Sequence, residues 1–428
     1  MLKTISGTFA SKFLLAILNF ATIILSTRLL GAEGRGEISF FVTNMVLVLL
    51  FTSLLGGPSL VYLAPRYNFF RFLIPSYTWA FLLTVVFCYV LYMTHQLAFG
   101  DFYFLFFSIL FNSWKSTNMM VLLGKEKMKS YNWLALIHSV LLLTFFLLFD
   151  FFIAVFSVES FYLAIVISNL LIWVWSFWVL FGLGEKVVLA IDRALIKKLF
   201  AYGGLAQLAN IIQFANYRIS YYYLMNMAGE GAAGLGKYSI AVSVAESVWI
   251  IGQSLATVQF SKLSNVEDAV LRRKISVRMF RFNFLLNLLA IAILLCIPSW
   301  LYVYVFNGEE FSRVSTYILW LAPGIFALGI STSLAAYFGG KGAYWPNVIS
   351  SALGALVTFT VCELFIKDLG IFAAAVGASL SYIAILIYFL ISFLKKERLS
   401  LHAILPGIQQ VKIYYRWLRG GLYKWNNR

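Results

Sequence analysis

Charged residues are scarce. Of 428 residues, 12% are charged and 62% are hydrophobic, against about a quarter and a half in soluble globular chains. So few charges cannot cover a water-facing surface, which excludes soluble enzymes and disordered chains. Nucleic-acid binding is excluded on the same ground, despite a formal net charge of +16. Acids are the scarcer sign, with 17 Asp and Glu against 33 Lys and Arg. The three cysteines, Cys88, Cys296 and Cys362, stand far apart in apolar runs. Each is expected to be a small buried side chain, and no disulfide or zinc spacing can be built from them. The three histidines, His95, His138 and His402, are never at ligand spacing. They are expected on the surface or in packing, with no resident metal or cofactor. Walker, HExxH and nucleophile-elbow patterns are absent. Long outer loops, which would hold an acceptor for sugar transfer, are absent too, and this argues against an enzyme.

What the chain has instead is long apolar runs. A membrane-spanning helix needs about 20 such residues. Twelve runs qualify, at about 8–30, 38–63, 72–94, 102–123, 131–150, 161–183, 199–226, 238–260, 279–304, 316–338, 347–366 and 370–394. The runs are continuous rather than alternating, which excludes a long-stranded β-barrel. The first is too long for a signal peptide, contains Lys12 and lacks a cleavage site. The fold class expected is an all-α integral membrane protein.

The basic residues give the orientation. With the N-terminus inside, the inner loops hold Arg66 and Arg71, then Lys125, Lys127 and Lys129, then Lys262, Arg272, Arg273, Lys274 and Arg278. The outer loops are acidic, with Glu33, Glu37, Asp101, Asp150, Glu159, Glu309 and Glu310. This positive-inside pattern supports an even number of spans and two cytoplasmic termini. Residues 184–198 read as an amphipathic cytoplasmic linker lying on the inner surface. The basic, aromatic tail 395–428 reads as a segment adsorbed to anionic lipid headgroups, with a soluble partner as the other reading.

The chain repeats itself. GAEGRGEISFFV at 31–42 and GAAGLGKYSIAV at 231–242 share six of twelve positions, including Gly31/Gly231, Ala32/Ala232 and Gly36/Gly236. Both stretches follow the first helix of a six-helix set. The expected architecture is therefore an N-terminal lobe (1–183) and a C-terminal lobe (199–394). They are related by a pseudo-twofold axis along the membrane normal, with substrate bound near mid-membrane. The glycines are expected to serve turns with positive φ.

Ionisable groups inside spans cost about 2.5–3.5 kcal/mol each and need a partner or a wet cavity. Lys115 shares a helical face with Ser108 and Asn112. Its alternatives are cavity lining and snorkelling to the inner surface. Arg218 shares a broad face with Gly203, Gln207 and Asn210. Its alternatives are a cavity role and an interhelical network. Arg28, in STRLLG near the outer surface, is either an interfacial anchor or a helix cap. Glu246 lies among Ser239, Ser243, Gln253 and Thr257 on one face of span eight. It can pair with Lys115 or Arg218, or exchange a proton or a sodium ion. Glu363 pairs with Lys367 at i, i+4. Pro58 and Pro323 are expected to kink spans two and ten. Lys12 is expected to snorkel inward. Together Lys12, Lys115, Arg218 and Arg28 form a ladder of cations suited to an anionic headgroup.

The segment TRLLGAEGRGEISFFV after an apolar first helix resembles the polysaccharide-biosynthesis branch of the multidrug/oligosaccharidyl-lipid/polysaccharide exporter superfamily. GLGKYSIAVSVAESVWIIGQSLATVQFSKLS resembles the matching second-half region. The resemblance implies a Wzx-type flippase of the bacterial cytoplasmic membrane. Such a protein moves undecaprenyl-diphosphate-linked oligosaccharide repeats to the outer leaflet for O-antigen or capsule synthesis, by rocking between inward-open and outward-open forms. Arg28 is the charged residue carried over by motif. The expected substrate-binding set is Arg218, Lys115, Arg28, Asn112, Gln207 and Asn210, with Arg218 and Lys115 on the diphosphate and Glu246 as a candidate ion-coupling group. The expected partners are the lipid-linked oligosaccharide and membrane lipids, with the pathway's glycan polymerase as a further candidate and no nucleic acid. The alternatives are a multidrug or organic-ion antiporter of the same superfamily and a membrane glycan polymerase or glycosyltransferase.

Overall fold

The computed structural model describes residues 2–94, 99–153, 157–188, 192–227, 229, 231–264, 266, 268–343 and 345–407. Among them all regular structure is helical. Thirteen α-helices follow in order: α1 (Leu2–Gly56), α2 (Pro58–Leu63), α3 (Phe70–Met93), α4 (Phe99–Gly124), α5 (Met128–Ile153), α6 (Val158–Phe181), α7 (Arg193–Met225), α8 (Gly231–Ser264), α9 (Ala269–Leu295), α10 (Ser299–Phe306), α11 (Val314–Gly340), α12 (Trp345–Leu369) and α13 (Ile371–Glu397).

Nine helices among the described residues are long and apolar enough to cross a membrane. One of them, Phe13–Leu63, has 51 residues and covers the first two expected spans. Helices α4 and α7 coincide with the fourth and seventh expected spans but fall outside that set. Their polar residues lower their apolarity: Asn112, Lys115 and Asn118 on α4, and Gln207, Asn210, Asn216 and Arg218 on α7. The surface is inverted relative to a soluble protein. Phe151 and Trp178 are 78% and 76% exposed, while Asn118, Asn169, Asn283 and Asn287 are buried. Lipid as the surrounding solvent demands this arrangement, because polar groups must find partners inside.

The chain forms two compact units. Unit 1 comprises Met1–Phe214, Met225–Lys237 and Val303–Phe311, and unit 2 comprises Ala215–Leu224, Tyr238–Tyr302 and Ser312–Arg428. In unit 1, α4 packs on α6, α6 on α5, and α1 on α3, α4 and α5. One apolar cluster gathers Phe69, Phe72, Leu122 and Leu180. A second gathers Phe41, Leu105, Phe146 and Phe161. In unit 2, α13 packs on α11 and α12, and α9 on α11.

The repeat segments are where glycine matters. Gly31 has φ +67° and breaks α1 into two arms. The backbone N–H of Ala32, at the break, donates to Glu310 Oε1 at 2.9 Å. Its mate Gly231 opens α8 with φ +46°. These two glycines serve positive φ as expected. Gly36 and Gly236 do not. Both lie inside helices, and their use is close approach. A Cβ on Gly36 would stand 1.7 Å from the carbonyl oxygen of Ala232, and one on Gly236 would stand 1.8 Å from that of Ala32. Gly36 touches the mate of Ala32, and Gly236 touches the mate of Ala232, the reciprocity that a twofold relation requires.

Several local expectations change. Cys88 and Cys362 are buried, but Cys296 is exposed, because it caps the end of α9 instead of lying within it. Pro58 begins a new helix after Gly57, where its missing N–H costs nothing. Helix α11 is assigned without a break across Pro323. Glu363 makes no ion pair with Lys367 among the described residues; its Oε2 accepts from the Tyr223 hydroxyl at 2.5 Å. Residues 184–188 are not helical, and α7 starts at Arg193. Glu185 straps this segment to unit 1. It accepts from the Phe69 N–H at 2.9 Å and pairs with Lys125 at 2.5 Å. Residues 189–191 and the tail beyond 407 lie outside the described residues.

Candidate functional site

Two gatherings of polar residues are built around a cation the sequence singled out, one in each unit. In unit 1 the centre is Lys115. Helix α4 carries it inward, and it is only 7% exposed. Its Nζ donates to Asn169 Oδ1 on α6 at 2.6 Å and stands 3.2 Å from His138 Nε2 on α5. The third side of the triangle, His138 Nε2 to Asn169 Oδ1, is 3.1 Å. No carboxylate is within ion-pair reach of Lys115 among the described residues. One turn along α4, Asn118 donates to Ser176 Oγ at 2.9 Å and accepts from the Tyr77 hydroxyl at 2.7 Å. Trp173 Nε1 donates to the Tyr77 oxygen at 3.0 Å. The ring of Trp114 stacks on Tyr77 with centroids 5.1 Å apart. The amides and indoles meet each other's needs beside the lysine.

In unit 2 the centre is Arg218 on α7. Its two terminal nitrogens face the two oxygens of Glu246 on α8, each at 3.3 Å, an end-on fork geometry. Nη1 also donates to the Tyr221 hydroxyl at 3.3 Å, and the guanidinium lies 4.9 Å from the Tyr221 ring centroid. Tyr221, Tyr238 and Tyr382 are buried around the pair. The two charged side chains are 26% and 22% exposed. Close by, Asn216 Oδ1 accepts from Thr358 at 2.7 Å and Ser381 at 2.6 Å, tying α7 to α12 and α13.

The other expected residues fall elsewhere. Gln207 is buried in unit 1, donating to the Leu50 carbonyl at 2.8 Å. The exposed Asn210 donates to Gln207 Oε1 at 3.1 Å. Helix α7 thus places Gln207 and Asn210 in unit 1 and Arg218 in unit 2. Asn112 is half-buried, with its Nδ2 3.9 Å from Met45 Sδ on α1. Arg28 is exposed and donates to the Tyr304 carbonyl at 3.3 Å, in the last turn of α10. This contact is that of a cap on α10 and not on its own helix. The Lys12 side chain lies outside the described set. Of the alternatives for Glu246, the structure shows pairing with Arg218, so this member of the expected ladder of cations stands beside an acid.

Two residues of the unit 1 cluster were missed in the sequence. His138 was expected on the surface or in packing, but it hydrogen-bonds at the cluster and is half-buried. Asn169 was not singled out. The signal for His138 was present, since an imidazole in the middle of span five is an intramembrane ionisable group like any other. His95 lies outside the described residues, and His402 is exposed in a short 3₁₀ turn. Among the described residues, no three His, Cys, Asp or Glu side chains stand together as a metal site would need.

The architecture matches known transporters. An inward-facing multidrug-resistance MATE transporter of the MOP superfamily aligns over 90% of this chain and 94% of its own, with TM-score 0.72 and 13% identity. The lipid II flippase MurJ in an inward closed conformation aligns over 93% of this chain and 88% of its own, with TM-score 0.70 and 13% identity. A MOP-superfamily transporter from Pyrococcus furiosus, described as having a binding pocket of reversed polarity, aligns over 91% and 94% with TM-score 0.64 and 13% identity. The chain therefore has the MOP-superfamily transporter fold. In sequence it is 30% identical over 196 residues to Protein DETOXIFICATION 10 of Arabidopsis thaliana, a match spanning 44% of this chain and 39% of that relative. No protein-family model matches.

Proposed function

We propose that this chain is a flippase of the bacterial cytoplasmic membrane, both termini inside. It moves an undecaprenyl-diphosphate-linked oligosaccharide repeat from the inner to the outer leaflet by alternating access, for O-antigen or capsule-type polysaccharide synthesis. The observation that carries the reading is Arg218. It sits in the C-terminal third of α7 and is a quarter exposed, and its guanidinium keeps donors beyond those turned to Glu246, Tyr221 and the Tyr217 carbonyl. A planar fork of donors suits a diphosphate, which can take the place of the Glu246 carboxylate. The excess of cations over acids inside the spans and the likeness in fold to a lipid II flippase support the same class of cargo.

The test is where lipid-linked repeats accumulate in cells lacking the protein. Inner-leaflet accumulation with loss of surface glycan is expected, and Arg218→Gln is expected to reproduce it with the protein still in the membrane. Normal export by Arg218→Gln overturns the assignment of Arg218. Unpolymerised repeats on the outer leaflet would point to a polymerase instead.

A second reading, export of organic cations, is favoured by the DETOXIFICATION 10 match and the MATE likeness. In that reading the drug cation displaces Arg218 from Glu246. Unchanged glycan pools together with increased drug sensitivity in the deletion strain would select it.

A further inference from the structure

Lys115 has a different environment from Arg218, and its neighbours suggest a different task. It is enclosed within unit 1, its ammonium is turned toward His138 and Asn169, and no carboxylate balances it. Two basic groups 3.2 Å apart in a low-dielectric interior cannot both carry charge. The pair therefore holds at most one proton beyond its neutral form.

The hydrogen-bond triangle allows two arrangements. With Lys115 neutral and His138 protonated on Nε2, all three sides are made. A lysine N–H donates to Asn169 Oδ1, and the Nε2–H is shared between Asn169 Oδ1 and the lysine lone pair. With Lys115 charged, it donates to Asn169 and to a bare Nε2, so His138 must carry its proton on Nδ1. The two states differ by one proton and by the imidazole tautomer.

We infer that Lys115 and His138 form a proton relay, a one-proton binding site in which the histidine is the entrance and the lysine the seat. His138 is the partly exposed member, and its Nδ1 makes no hydrogen bond to another described residue. On uptake, Nδ1 takes a proton from a hydronium ion, whose O–H bond breaks to leave water, while Nε2 passes its own proton to the Lys115 lone pair. One N–H bond forms at Nδ1, one breaks at Nε2 and one forms at Nζ. Release reverses each step. The charged groups on the packed helices are Arg28, Glu33, Arg35 and Glu37 around the break at Gly31 in α1, with Lys3 and Lys12 whose side chains are undescribed, Arg71 at the start of α3, and Asp101 at the start of α4. Helix α5 carries Lys129 and Asp150, and α6 carries Glu159. The nearest on the helices of the triangle, Lys129, is nine residues from His138, about 13 Å along the axis. His138 is the titratable group that faces Lys115. The coupling of this proton to cargo movement rests on the transporter reading; the relay itself does not.

The relay is tested on the purified full chain in nanodiscs by ¹⁵N-histidine NMR from about pH 5 to pH 9. His138→Gln identifies the signal among the three histidines. The expected result is one step from the Nε2–H to the Nδ1–H tautomer as pH falls, and loss of that step in Lys115→Met. A single tautomer throughout, or the same step in Lys115→Met, overturns the relay. The coupling is tested by surface-glycan export against external pH in cells carrying each variant. The wild type is expected to be pH-dependent and Lys115→Met flat. Wild-type dependence retained in Lys115→Met overturns the coupling and leaves the flippase reading standing. A deletion strain with normal glycan fails the cargo reading instead, and the NMR step then judges the relay alone.

Discussion

Lys115 in unit 1 and Arg218 in unit 2 are both interior cations, and the two are handled in opposite ways. Arg218 is permanently charged, faces a carboxylate with fork geometry and is a quarter exposed. Lys115 is nearly sealed, meets an amide and an imidazole, and has no acid beside it. The side-chain chemistry fits the difference. A guanidinium does not give up its proton, so an interior arginine needs a counter-charge. An ammonium can become an amine, so an interior lysine can do without one. The lesson is that two positive charges in apolar helices need not share a role. One stands beside an acid that balances it, and the other beside an amide and an imidazole that do not.

The glycine crossing supplies the symmetric control against which this asymmetry can be read. Gly36→Ala and Gly236→Ala each drive a methyl into a backbone carbonyl, which no rotamer change relieves. Each is expected to destabilise the fold by about 3 kcal/mol, and by similar amounts, in mixed-micelle chemical unfolding. Gly204→Ala, with nothing within 4 Å of the new Cβ, is expected to be harmless. Unequal costs at Gly36 and Gly236 would break the twofold relation.

Next in size is Glu246→Leu, which leaves Arg218 without its counter-charge. A loss of about 2–3 kcal/mol is expected, below the cost for a fully buried pair because a quarter of each side chain reaches the surface. The double variant Arg218→Met/Glu246→Leu is expected to recover most of it. Asn169→Leu takes from Lys115 its shortest hydrogen bond and is expected to cost about 1.5 kcal/mol. The smallest effect, and the one that separates the clusters, is Lys115→Met. Removing a lysine that has no acid partner is expected to change stability by less than about 1 kcal/mol, in the stabilising direction. A loss like that of Glu246→Leu would show that Lys115 is held charged by a partner, and the contrast between the units would fall.

Much of the site could be seen in the sequence as position and little of it as partnership. Apolar runs placed Lys115 and Arg218 within helices, and they lie on α4 and α7. Glu246 was left between two cations and an ion, and only the approach of α8 to α7 chose Arg218. His138 and Asn169 come to Lys115 from α5 and α6, 23 and 54 residues further along the chain. No local pattern joins residues so far apart. Glu363 shows the same limit, since i, i+4 spacing named Lys367 and the structure supplies Tyr223.

The helical class and the apolar outer surfaces follow from the sequence alone, because a bilayer admits few solutions for a run of about 20 apolar residues, whereas twelve apolar runs became thirteen helices, with the first two runs in one helix broken at Gly31. The repeat is also sequence, carried by glycines at an offset of 200 residues. What those glycines do was decided in three dimensions. Gly31 and Gly231 turn the chain, a local matter of φ. Gly36 and Gly236 stay helical and let two backbones touch. Close approach belongs to a pair of helices, and no single helix encodes it. The same holds for charge: each helix carries its ionisable residues wherever the sequence puts them, but whether a cation is balanced, shared or able to lose its proton is a property of what the neighbouring helices bring to it.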